Sequence, residues 1–122
     1  MTARQAYVSA VVRNYVRLPG TPLRASRGDR QLAAALYDRR IPLRVVYSAF
    51  VIAAARREIR SPDLPRHPAI RTLHFFLGAI NEVLEEMPDI SYVHYLAAKL
   101  KPLVVQKELA LRAQPDGRGL RP

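Results

Sequence analysis

Residues 42–60 read PLRVVYSAFVIAAARREIR, and this stretch decides the fold. Val45, Val46, Ala49, Phe50, Ile52 and Ala53 leave the middle of the segment apolar almost all round. A helix of that kind belongs in a protein interior. Pro42 suits a first helical turn, where its missing N–H costs nothing. Arg56, Arg57 and Arg60 complement the negative end of the helix dipole. The segment therefore predicts a central, buried helix with other helices packed around it. The recognition helix of a helix-turn-helix would instead present polar side chains on its first turns. Here only Arg44, Tyr47 and Ser48 could reach bases, so a core role is expected.

Working towards the amino terminus, Ile41-Pro42 separates this helix from a shorter one that ends near Arg39. Ser26 or Gly28 opens that second helix, Leu32, Ala35 and Leu36 face inward, and Asp29 lies near its positive end. A stiff loop, PGTPLRA over residues 19–25, joins it to a first helix. There Thr2 can cap, and Tyr7, Val8, Val11, Val12, Tyr15 and Val16 recur at helical spacing up to about Leu18.

Working towards the carboxy terminus, the segment SPDLPRHP over 61–68 holds three prolines and reads as a loop. A fourth helix is expected over about 69–87, with Ile70, Leu73, Phe76, Leu77, Ile80, Val83 and Leu84 on one stripe. Pro88 stops it and Asp89 can cap a fifth helix from Ile90, carrying Tyr92, Val93, Leu96, Leu100, Leu103 and Val104 inward. Pro102 is expected to kink or split that helix. No segment alternates at strand period. The expectation is an all-α single compact domain of five to six helices over residues 1–113, followed by a disordered basic tail over 114–122.

Composition supports one soluble domain. The chain has 122 residues, 49% of them apolar, and no cysteine. Disulfides and thiolate metal sites are thereby excluded, and a reducing cytoplasm suits the chain. Arg4, Arg13 and Arg17 interrupt any signal-peptide-like run at the start, and the longest apolar stretch, Ala49 to Ala55, is too short to span a bilayer.

Charge says most about partners. The formal net charge is +10, and residues 1–60 carry 12 cations against 3 carboxylates. Residues 61–89 reverse the balance, with 2 cations against 5 carboxylates. Arginine dominates, with 17 of the 20 cations, and its planar fork suits phosphate. Three clusters stand at helix junctions: Arg24, Arg27 and Arg30; Arg39, Arg40 and Arg44; Arg56, Arg57 and Arg60. Such clusters can hold phosphates, since free backbone donors at helix starts add to the side chains. The expected partner is therefore the phosphate backbone of DNA or RNA.

Other candidates are weaker. Tyr37, Tyr47, Tyr92 and Tyr95 could stack on bases, although partial burial with the hydroxyl in water is the commoner role. Glu82, Glu85, Glu86 and Asp89 form an acidic run that sits unfavourably at a helix end. It reads as a solvated face, or else as a docking site for a basic partner. His67, His74 and His94 lack the spacing of a ligand pair, and no phosphate-loop, dinucleotide, nucleophile-elbow or zinc-protease motif occurs. No metal, cofactor or enzymatic activity is expected.

A further order of features runs from Tyr15 to Leu84. A helix ends in Leu18-Pro19; Asp29-Arg30-Gln31-Leu32 and Ile41-Pro42-Leu43-Arg44-Val45-Val46 follow. An Ala-rich helix then ends in Arg56-Arg57, and Ile70-Arg71-Thr72-Leu73-His74-Phe75-Phe76 follows a Pro-rich loop. This layout resembles small helical proteins of bacterial mobile elements, and is distantly similar to the helical module of DnaD-like primosome proteins. The tryptophan-bearing segment of that module has no counterpart, because the chain has no Trp. The resemblance implies DNA binding and helicase-loader contact during replication or element mobilisation.

Two functions follow as expectations. The first is a small non-enzymatic nucleic-acid-binding accessory protein, serving replication, a mobile element or a guided-nuclease assembly, with a protein partner in the nucleoprotein complex and no membrane role. The second is a helical adaptor subunit of a larger complex, docking through its basic half and the acidic 82–89 face.

Overall fold

In the computed structural model, residues 1–60, 63–65 and 67–113 are described. Five α-helices follow in chain order: α1 Ala3–Arg17, α2 Arg27–Asp38, α3 Leu43–Glu58, α4 Leu77–Glu85 and α5 Ile90–Ala113. A short 3-10 helix, Leu73–Phe76, leads into α4. No strand occurs among the described residues, so the all-α expectation holds. The expected tail, 114–122, lies outside the described residues.

α1 and α2 form an antiparallel pair, each opened by a reciprocal cap. Thr2 Oγ1 accepts from the Gln5 N–H while Gln5 Oε1 accepts from the Thr2 N–H. Ser26 and Asp29 repeat this exchange at the start of α2. Each arrangement satisfies donors that a helix start leaves free. The chain then turns into α3 through Arg39 and Arg40. The Arg40 N–H reaches the Tyr37 carbonyl and the Ile41 N–H reaches that of Leu36, the two bonds of a Schellman motif.

α3 is the axis of the domain. Nine of its side chains are buried, among them Val46, Ala49, Phe50 and Ala54. It packs against α1, α4 and α5. Phe50 meets Phe76 edge-on at 4.9 Å between ring centres, and Tyr15 closes the cluster at 6.0 Å from Phe76.

Several boundaries differ from expectation. The fourth helical segment begins at Leu73, not near 69. Residues 67–72 stay outside any helix because the Ile70 N–H is tied to the Gly20 carbonyl at 2.8 Å and Pro68 is gripped by Arg57. Leu84, Ala35 and Tyr92 are exposed rather than inward, since the stripes they sit on are wider than the faces their helices bury. Pro102 does not split α5. Pro102 and Ala98 both lie on the exposed face, where the carbonyl that proline leaves unpaired meets water.

Candidate nucleic-acid interface

α2 lies on the α1 side of the domain. It packs against α1 and touches the 3-10 helix, with almost no contact to α3. Helices two and three therefore do not pair as a helix-turn-helix, and α3, buried along most of its length, offers no face to a groove. The outward surface of α2 carries Arg27, Arg30 and Gln31, with the small Ala35 beyond them.

The first Arg cluster stands at the start of α2. Arg24, Arg27 and Arg30 are exposed. Arg27 and Arg30 line a shallow groove between α1 and α2 together with Arg4, Gln5, Ser9 and Gln31. The second cluster stands at the other end. Arg39, Arg40 and Arg44 are all exposed around the turn into α3. Arg40 is the only non-glycine residue with positive φ among those described, at 61°. A left-handed conformation disfavours side chains, and glycine is the usual occupant of this Schellman position.

The carboxylates near these clusters are already committed. Asp38 receives two bonds from Arg4, at 3.0 and 2.9 Å, which hold the Asp38 carboxyl below the usual range. Asp29 is buried, and its two oxygens accept from the Ser26 N–H and the Leu73 N–H, both at 2.9 Å. None of the six arginines in the two clusters forms an ion pair among the described residues.

The third cluster does not converge. Arg56 pairs with Glu82 at 2.9 Å. Arg57 donates to the Pro68 carbonyl at 2.7 Å and lies over the Phe75 ring, 5.4 Å from its centre. Gly20 sits close by: a Cβ there would come within 3.4 Å of Arg57 Nη2, and its φ of +81° already favours glycine. Arg57 is a clamp that holds the 67–72 segment onto α3 and the α1–α2 loop. Arg60 is half-buried beside it. The tyrosines divide as well. Tyr37 is half-buried against Tyr7, whereas Tyr47, Tyr92 and Tyr95 are exposed. Among the described residues, no group of three or more His or acidic side chains is arranged to hold a metal ion.

Sequence reasoning missed Lys107. Its three N–H donors are shared among four acceptors, the carbonyls of Val16, Leu18 and Thr21 at 2.7, 2.7 and 2.9 Å and Thr21 Oγ1 at 2.8 Å. It satisfies the free carbonyls where α1 ends, as a cation at a helix C-terminus should. Burial pulls this ammonium down to about 8. The partners lie almost ninety residues away in sequence, so no local pattern signals the bond. No helix among the described residues is long and apolar enough to cross a membrane. Comparison with family models, curated proteins and solved structures finds no match to this chain.

Proposed function

We propose that this chain is a small non-enzymatic accessory protein that binds nucleic acid by holding its phosphate backbone at the two ends of α2. One observation carries the reading. Six exposed arginines flank one helix while both neighbouring carboxylates are engaged elsewhere. Cations of this density, without ion pairs among the described residues, create a positive field that attracts polyanions.

The spacing suits a backbone. Twelve residues of α2 extend about 18 Å at 1.5 Å per residue. A strand advances roughly 3.4 Å per phosphate along a duplex axis, so about five phosphates bridge the clusters. With few polar side chains on α2 able to read base edges, contact falls on phosphate and carries little sequence information. Replication, mobilisation of a genetic element and guided-nuclease assembly are settings for such a factor, with a protein partner in the same nucleoprotein complex.

The test uses two double variants, Arg27→Gln with Arg30→Gln, and Arg39→Gln with Arg44→Gln, measured by anisotropy on labelled DNA and RNA. Each should weaken binding and flatten the log–log salt slope by about 1.4–1.8, at 0.7–0.9 per phosphate contact. Arg57→Gln should instead lower the melting temperature. Wild-type affinity in both double variants would turn the reading towards the adaptor role.

A further inference from the structure

The far side of the domain carries the opposite chemistry. A groove of about 960 Å³ opens between the second half of α3, the end of α4 and the first turns of α5. Ile59, Val83, Met87, Tyr92 and Leu96 supply its apolar floor; its charged lining is Glu82, Glu85, Glu86 and Asp89 with a single cation, Arg56, which is paired with Glu82. Ile59, Met87 and Tyr92 are 47%, 43% and 54% exposed. Only Glu82 of the four acids has a cationic partner among the described residues. Glu82, Glu85 and Glu86 crowd the negative end of the α4 dipole, whereas Asp89 opens α5 and accepts from the Ser91 N–H at 2.7 Å. A cationic occupant with apolar anchors would relieve that crowding and cover the floor.

The same chain presents such an element. Along the last turns of α5, Lys101, Val105, Leu109 and Arg112 fall on one stripe, at spacings of four, four and three. All four are exposed, Val105 by 41% and Leu109 by 57%. Two apolar side chains flanked by two cations match an apolar floor within an acidic lining, the pattern of an amphipathic helix seated in a groove. The other cationic element, α2, fits less well. Its outward residues are Arg27, Arg30, Gln31 and Ala35, with no large apolar side chain to fill the floor.

We propose that the groove of one copy receives the carboxy-terminal half of α5 from a second copy. Groove and stripe sit at opposite ends of one 24-residue helix, so the contact joins different surfaces. A heterologous contact of this kind builds rings if the rotation closes and filaments if it does not. Copies joined head to tail would coat a nucleic-acid strand cooperatively. The association itself needs no nucleic acid, so it stands or falls apart from the phosphate-binding reading.

Sedimentation equilibrium of the full chain without nucleic acid tests it. The mass should rise from the 13.8 kDa monomer through multiples as concentration increases, and fall back at high salt. Leu109→Asp, and separately Glu85→Lys with Glu86→Lys, should each hold the protein at monomer mass with unchanged helicity, because all three sites are exposed. Mixing these two variants is the decisive step. One retains the groove and the other retains the stripe, so together they should form a single one-to-one pair and grow no further. A wild-type chain that stays monomeric at every concentration overturns the proposal. So does assembly that survives either variant, or a mixture that yields no pair.

Discussion

Arg40 holds a left-handed backbone at φ 61° in a position where glycine is the usual residue. A side chain there costs stability, and such strain persists where the side chain is wanted for another reason. Arg40→Gly should therefore raise stability by about 1 kcal/mol, from the left-handed penalty it removes, while weakening nucleic-acid binding, a trade-off read by thermal melting and anisotropy together. Lower stability in that variant would show that the guanidinium supports the fold itself. Lys107 gives a second residue-scale expectation. Its folded pKa of about 8 lies below the ordinary 10.5, so between those values the unfolded chain binds more protons, and stability rises with pH there. Tyr15 acts in the opposite sense. Burial, with Asp29 nearby, pushes its hydroxyl up to about 12 from 10, so stability falls as pH climbs above 10. The melting temperature should thus rise from pH 8 towards a maximum near 10 and then drop, and Lys107→Met should remove the rise alone. A flat profile below pH 10 would show that the surrounding carbonyls hold the proton as firmly as water does.

Among the elements, α3 decides the architecture, and Phe50 is its keystone. The side chain is 1% exposed and meets both Phe76 and Tyr15. Phe50→Ala should destabilise by about 3–5 kcal/mol, enough to unfold many small domains at ordinary temperature; denaturant titration measures it. An unchanged midpoint would displace α3 from the centre. This much was legible in the sequence, because an all-round apolar segment has only one comfortable environment. Thr2 was legible as a cap, but the start of α2 stayed open between Ser26 and Gly28, and the Ser26–Asp29 exchange decides it. The start of the fourth segment was not legible. It depends on Arg57 reaching Pro68 and on the Gly20 carbonyl reaching Ile70, contacts between residues remote in the chain. For the same reason the third Arg cluster looked uniform in sequence but divides in space. Arg56 and Arg57 are neighbours on a helix, and neighbours one residue apart face different directions.

At the scale of the whole molecule, charge is separated. The amino-terminal half carries the cation surplus, and the acidic 82–89 run gathers around a groove at the other side of α3. A net charge of +10 on 122 residues favours solubility and drives association with polyanions, but does not by itself choose a fold. The helices decide where that charge goes, placing two of the three Arg clusters at the two ends of α2. The central claim is that those six arginines, Arg24, Arg27, Arg30, Arg39, Arg40 and Arg44, hold phosphates. The salt dependence of nucleic-acid affinity tests it most directly. If all six engage, log K should fall linearly with log salt at a slope of about −4 to −5. The chain with all six replaced by Gln should lose that slope while its helicity is unchanged. A wild-type protein that shifts no DNA or RNA at low salt, or a sextuple variant that keeps the wild-type slope, would contradict the account.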